Sequence, residues 1–344
     1  FGKTVNMSLL TGKTEYKERK KILNDIKDNK INILIGTHSL FQEKIKFYNL
    51  GLIIIDEQHK FGVKQRKKLS DKGGNNCDVL VMSATPIPRT MIMTVFGDMD
   101  TSIIKHKPKN RKDIKTYSKI DTKIDEVISF VRKKINAGNQ VFWVCPLIEE
   151  SSFLDYSSAK KKFDVINKKF PNKVALIHGA LDKIEKEKIL NKFLKKEIFI
   201  LVSTTVIEVG IDFPNANLII IENANKFGLA QLHQLRGRVG RGEKQSTCIL
   251  MFKSSLTENA KKRINILKNS TDGFEISEED MKLRGFGDIL GFKQSGIKIF
   301  KLADPIHNRE LFELARKQIL KIEKNNQDIS KYKPLVKLYD QADI

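Results

Sequence analysis

Short, β-branched apolar runs alternate with longer amphipathic stretches from the first residues to Leu256, and this rhythm constrains the fold more than any single motif. Residues 31–35, 51–55, 79–82, 141–144, 174–177, 198–202, 218–221 and 248–252 read as strands, and their continuous apolar character suits burial on both faces. Between them, residues 15–27, 123–136, 182–194 and 229–235 space their apolar side chains as helices do. A strand-then-helix order calls for parallel pairing through right-handed crossovers, so the expected class is α/β. The charged segment Lys105-His-Lys-Pro-Lys-Asn-Arg-Lys112 breaks the rhythm and reads as a linker near residue 108. Past Leu256 the strands stop. Residues 258–268, 277–284 and 308–324 read as helices joined by a glycine-rich loop at 285–296, with Ser277 and Asp280 as a capping box. The expected divisions are 1–107, 108–256 and 257–344.

Several classes drop out early. Cys77, Cys145 and Cys248 stand apart with no CxxC pair, which leaves neither a disulfide framework nor a zinc knuckle. No apolar stretch approaches the roughly 20 residues that span a bilayer, and the opening FGKTVNMSLL has no charged-then-apolar signal layout. A cytoplasmic protein with no membrane partner is the expectation. The formal net charge of +22, from 63 basic and 41 acidic side chains, invites a nucleic-acid reading. That signal is diluted, because 51 of the basic residues are lysines in a chain also rich in Ile and Asn. The 12 arginines say more: three of them, Arg236, Arg238 and Arg241, fall within six residues.

The residues with the clearest chemistry sit at strand ends. In Leu52-Ile-Ile-Ile-Asp-Glu-Gln-His59 a strand runs into two adjacent carboxylates, where open α/β sheets place their ligands. In nucleoside triphosphatases an Asp at this place holds Mg²⁺ through water, and a neighbouring Glu orients the attacking water. A plainer reading has the pair capping the next helix. With Gln58 and His59 the stretch resembles the DExH box of superfamily 2 helicases. The next strand ends in Ser83-Ala-Thr85, 24 residues after His59. In that superfamily these hydroxyls link the nucleotide site to the nucleic-acid groove; the bland alternative is a helix-opening turn. Ser203-Thr-Thr-Val-Ile-Glu-Val-Gly-Ile-Asp212 places Thr204, Thr205, Gly210 and Asp212 at another strand end, where hydroxyls and amides can hold phosphate oxygens. Gln231-Leu-His-Gln-Leu-Arg-Gly-Arg-Val-Gly-Arg-Gly242 interleaves arginines with glycines, a pattern that a solvated helix end does not explain. Arg238 and Arg241 match the arginine-finger positions of the sixth helicase motif, where such a group stabilises charge on the γ-phosphate.

Together, DEQHKFGVKQR, SATPIPRTM, TTVIEVGIDFPNANLIIIENANKFGLAQLHQLRGRVGRG and GFEISEEDMKLRGFGDILGFKQSG resemble the RecG family over essentially the whole chain. The resemblance implies two RecA-like parallel-sheet motor domains, the first incomplete, followed by a helical hairpin and loop. It implies an ATP-dependent helicase, using Mg²⁺, that remodels stalled forks and other branched double-stranded DNA in repair and recombination. Asp56 would serve the metal and Glu57 the water. His59, Gly210, Asp212, Gln234, Arg238 and Arg241 would complete the nucleotide site. Thr37, Ser83, Thr85, Thr204 and Thr205 would face DNA, and Arg284, Gly285, Gly287 and Gln294 would couple hydrolysis to duplex translocation. A packed histidine satisfied by a carbonyl remains an alternative for His59. A monomer is expected, with single-strand-binding protein as a candidate partner. The transcription-repair coupling factor shares the hairpin and the GLAQLHQLRGRVGR string, but it usually reads Asp-Glu-Glu-His where this chain has Gln58.

One required part is absent from the sequence. A phosphate-binding loop, G-x-x-x-x-G-K-[ST], should precede the Asp-Glu box. Gly2-Lys-Thr4 has no room for the loop, and Gly12-Lys-Thr14 has Met7 where the first glycine belongs. Gly12 also lies only 44 residues before Asp56, too close for the intervening βα units. The chain therefore reads as the carboxyl-terminal portion of a longer helicase, without the phosphate loop and the fork-splitting wedge domain, and is expected to be inactive alone. The alternative is a catalytically dead DNA-binding module.

Overall fold

The structure is a computed structural model and describes residues 4–42, 45–57, 71–73, 77–83, 100–104, 106, 111–146, 152–204, 213–284, 308–325 and 328–334. Two compact units, Phe1–Thr85 and Pro86–Ile344, divide the chain.

The first unit contains β1 (Met7–Leu10), α1 (Tyr16–Lys27), β2 (Ile33–Gly36), β3 (Leu52–Ile55) and β4 (Asp78–Val81). β1 pairs with β2 and β3 with β4, both in parallel. The βαβ step from β1 to β2 is sealed by Ile22 and Ile26 of α1, which bury against Leu10 and Ile45. Gly36 permits this closure: a Cβ there would strike the Leu10 carbonyl and the Leu40 side chain. Ile53 and Ile55 are buried, whereas Met7, Leu9, Ile33, Ile35, Leu52 and Ile54 are exposed. Among the described residues, then, these strands are covered on one face, where their composition calls for two.

The second unit is built on β5 (Lys115–Ile120), α2 (Ile124–Asn136), β6 (Gln140–Val144), α3 (Ser152–Lys169), β7 (Val174–Ile177), α4 (Lys183–Leu194), β8 (Ile200–Ser203), β9 (Ala216–Ile221), α5 (Leu229–Arg236) and β10 (Thr247–Phe252). After them come α6 (Glu258–Asn269), α7 (Gly273–Arg284) and α8 (Arg309–Lys324). Its six strands lie in the order β5-β10-β9-β6-β8-β7 and all pair in parallel. Alternate residues of the strands serve opposite cores. Phe142, Val144, Leu201, Ile219, Ile221 and Leu250 pack with Phe193, Leu229, Leu232 and Ile264. Val141, Trp143, Ile200, Val202, Leu218 and Ile220 pack with Val127, Val131, Ile135 and Ile166. Both faces are covered, so the strands read as unbroken apolar runs. The α/β, parallel-sheet architecture follows as expected.

Three elements escape a reading by apolar pattern. β1 and α3 carry broken apolar spacing, and β5 is an edge strand of sequence Lys-Thr-Tyr-Ser-Lys-Ile in which Thr116 is the buried residue. The expected capping box is also displaced. α7 opens at Gly273, with the Asp272 carboxylate accepting from the Phe274 N–H at 2.8 Å. Ser277 lies inside the helix, and Asp280 is buried and paired with Arg284 at 3.1 Å.

The cysteines provide a direct check on this core. Cys145 and Cys248 are buried and Cys77 is half-buried. Burial pushes the Cys248 thiol up to about 12 and raises that of Cys145 as well. Burial and then the Asp78 carboxylate raise the Cys77 thiol as well, so selectivity rests on access: a thiol reagent at pH 8 should label one site, the half-buried Cys77, in the folded chain and all three in denaturant. Rapid labelling of Cys248 in the native state would contradict the core described here.

Candidate functional site

Each strand of the first unit delivers a polar group at its carboxyl end. β3 runs into Asp56 and Glu57; Asp56 is exposed and Glu57 half-buried. One Asp56 carboxylate oxygen accepts from the Glu57 N–H at 2.8 Å. Glu57 has φ of +51°, a left-handed conformation that an L side chain adopts at a cost of about 1–3 kcal/mol. Such outliers persist where the surroundings hold a side chain in a required direction. β4 ends beside it in register and leads to Ser83, with the Met82 N–H donating to the Ile55 carbonyl at 2.8 Å. β2 ends at Gly36, and exposed Thr37 follows. Behind Thr37, Ser39 Oγ donates to the Leu10 carbonyl at 2.7 Å, fixing the turn.

Asp56 suits an Mg²⁺ ion that keeps most of its water. Mg²⁺ is usually bound through one or two carboxylates with substrate phosphates, not by a protein cage. Among the described residues no group of three or more His, Cys, Asp or Glu side chains is placed to hold a metal.

In the second unit the candidate residues fall at opposite ends of the sheet. Thr204 follows β8 at its carboxyl end, is buried, and donates its N–H to the Ile177 carbonyl at 3.4 Å. α5 runs back toward the amino end, and the loop between α5 and β10 carries half-buried Arg238 and exposed Arg241. Val239 is buried between them, and the Arg238 N–H donates to the Leu235 carbonyl at 3.0 Å. The next glycine, Gly242, packs so closely that a Cβ would lie 2.8 Å from the Pro214 carbonyl. The arginine loop therefore abuts the residues that follow Asp212. Gln234 is exposed on the last turn of α5.

The three clustered arginines separate in role. Arg236 is buried at 3% exposure. Its Nη1 donates to the Leu267 and Ser270 carbonyls, both at 2.7 Å, and its Nη2 lies 3.1 Å from His233 Nδ1. It thus caps the carboxyl end of α6 from within α5. Burial pulls the guanidinium below its ordinary value, while Cys248 and Asp113 act in the opposite direction. The sequence marked Arg236 by its clustering alone; its apolar neighbours Leu232 and Leu235 were the available sign of burial.

Arg284 closes the same cluster from the other side. Its Nε pairs with Asp280 at 3.1 Å, and its Nη2 occupies the space a side chain would take at Gly228, the residue that opens α5. The Gly228 N–H donates to Gln231 Oε1 at 3.0 Å. Both ends of α5 are therefore held by the α6 and α7 region. His59, Thr85, Thr205, Gly210, Asp212, Gly285, Gly287 and Gln294 lie outside the described residues, as do parts of the charged segment 105–112.

Comparison with known proteins gives a consistent assignment along the chain. The "DEAD/DEAH box helicase" family matches residues 1–94, the "Helicase conserved C-terminal domain" 122–243, and "ATP-dependent DNA helicase RecG, domain 3, C-terminal" 270–340. The ATP-dependent DNA helicase RecG of Bacillus subtilis is 48% identical over 91% of this chain and 46% of its own length. That of Thermotoga maritima is 46% identical over 93% of this chain and 41% of its own. A solved structure of RecG bound to a three-way DNA junction superposes with a TM-score of 0.68 at 42% identity, covering 90% of this chain and 40% of that one. The chain thus spans less than half the length of the curated relatives it matches.

Proposed function

Because the chain belongs to the RecG family of ATP-dependent DNA helicases, we propose that it forms the carboxyl-terminal portion of a motor that hydrolyses ATP to remodel branched DNA. The observation that carries this reading is the order of three matches on one chain: DEAD/DEAH box, helicase carboxyl-terminal domain and RecG domain 3. The domain 3 match favours it over a transcription-repair coupling motor, and the relative solved on a three-way junction supports branched DNA as partner.

Under this proposal Asp56 would hold Mg²⁺ through water, and the ion when bound would offset negative charge on the phosphates. Glu57, turned by its left-handed backbone, accepts a proton from the attacking water and orients it. Arg238 and Arg241 offset the charge developing on the γ-phosphate oxygens. Thr37, Ser83 and Thr204 contact DNA phosphates. Arg236 and Arg284, which grip α5 at its two ends, carry the movement of the arginine loop into α6 and α7.

The 344 residues hold no G-x-x-x-x-G-K-[ST] sequence, and hence neither the amides nor the lysine that cradle β- and γ-phosphates. The purified 344-residue chain is therefore expected to show no ATP turnover above background with forked DNA, at any Mg²⁺ concentration. The same residues within a complete RecG-type protein should hydrolyse ATP and unwind the fork. Robust turnover by the isolated chain would overturn the first expectation. A complete protein that binds forks without hydrolysing ATP would overturn the functional reading in favour of a DNA-binding module.

A further inference from the structure

The loop that carries Arg238 and Arg241 is ten residues long, 237–246, and lacks regular structure. A guanidinium acts on a transferring phosphoryl group only if its backbone is held to within a fraction of an ångström. What holds this loop is the segment that leads into β5. Gln245 Nε2 donates to the Asp113 carbonyl at 2.6 Å and to the Ser246 carbonyl at 3.2 Å. The Lys115 N–H donates to the same Ser246 carbonyl at 3.1 Å, the first rung of the β5–β10 ladder. Gly240, midway between the two arginines, has φ of +78° and lies against Ile114, where an added Cβ would come within 3.1 Å of Ile114 Cγ1. Ile114 in turn packs on the core that includes Val239.

We infer that Asp113, Ile114 and Gln245 form a latch that positions Arg238 and Arg241, so that the chain leading out of the charged segment 105–112 sets the geometry of the arginine loop. Ile114 and Gln245 are positioning residues, acting through the arginines. The latch ties the loop to a segment more than 120 residues away in sequence, Gln245 to Asp113 being 132 apart. A pull on that segment reaches the far end of the loop through Gln245 and through the Lys115–Ser246 rung, while Ser246 Oγ donates to Asn217 Oδ1 at 3.1 Å and Val239 and Gly242 anchor the rest. This inference rests on the proposed ATPase reading for its catalytic consequence, but the mechanical attachment can be tested without it.

Two measurements decide it. In the 344-residue chain, Gln245→Ala and Ile114→Ala should each speed hydrogen exchange of the 238–244 amides and trypsin cleavage at Arg241 and Lys244. Exchange in α2 and β6 should not change, and Ile114→Val should restore most of the protection. In the complete protein, Gln245→Ala should lower kcat for DNA-stimulated hydrolysis about 10- to 100-fold with little change in KM for ATP. In an Arg238→Ala/Arg241→Ala background, single-turnover hydrolysis should show no further loss from Gln245→Ala, because both groups it positions are gone. Unchanged loop exchange in both alanine variants, or a full multiplicative loss on top of Arg238→Ala/Arg241→Ala, overturns the latch. If the complete wild-type protein has no ATPase, the functional reading fails, and loop exchange still decides the attachment.

Discussion

Arg238→Ala in the complete protein should abolish fork unwinding and lower ATP turnover about 10³-fold or more, the range reported for removal of an arginine finger. Affinity for forked DNA should stay near wild type, and so should thermal stability. The stability half of this expectation comes from placement. Arg238 is half-buried on a loop held by the buried Val239, by Gly240 against Ile114 and by Gln245, and truncating the arginine leaves these three in place. The catalytic half comes from charge: a planar, permanently protonated group beside a γ-phosphate acts most strongly in the transition state. Glu57→Gln, which keeps size and removes the acceptor charge, should give a comparable loss of turnover while ATP still binds. ATP hydrolysis and strand separation measured side by side on one forked substrate check both variants. Near wild-type unwinding by either would show that the roles are wrongly assigned.

How far could these roles be seen without coordinates? The six-stranded sheet was legible because its central strands are buried on both faces: residues 141–144, 198–202, 218–221 and 248–252 are apolar with no alternation to confuse them. β5 was not, since an edge strand with one buried side has weak apolar pattern and takes its place only when Lys115 meets Ser246 from far along the chain. Helix starts were legible where a short side chain caps locally, as Asp182 does by accepting from the Glu185 N–H at 2.8 Å. The Ser277 reading failed because Asp280 answers to Arg284 four residues on, not to a helix start. The candidate carboxylates Asp56 and Glu57 and the arginine loop stood out because their pattern is local: adjacent residues at a strand end, or arginines spaced by glycine. The latch did not stand out. Gln245 and Asp113 are ordinary polar residues, and only the fold brings them within 2.6 Å. For the same reason Arg236 read as one more arginine of a cluster, although its partners are backbone carbonyls that no sequence pattern marks.

That difference between neighbouring arginines yields a second large effect, opposite in kind to the first. Arg236→Met should destabilise the second unit by about 2–5 kcal/mol, the cost of leaving two buried carbonyls without their donor, and lower its Tm by about 4–20 °C for a unit of this size. Methionine keeps the unbranched stem and fills most of the volume, so the loss is mainly polar. The Leu267 and Ser270 carbonyls, each now bonded at 2.7 Å, would be left buried without a donor at the end of α6. His233 would lose the group 3.1 Å from its Nδ1. Arg236→Lys should recover only part of the loss, because a single ammonium on a flexible stem cannot reproduce a fork that meets two carbonyls and a ring nitrogen at once. Thermal unfolding of the 344-residue chain measures this without any need for catalysis, and hydrogen exchange should locate the damage in the last turn of α6 and the first of α7. Loss of stability below about 1 kcal/mol in Arg236→Met, the value of an ordinary surface change, would mean that α5 is not held to the hairpin through this guanidinium. Confirmation would divide a six-residue cluster into one arginine that keeps the carboxyl end of α5 on the hairpin and two proposed to act on phosphate, with Arg284 holding the other end of α5.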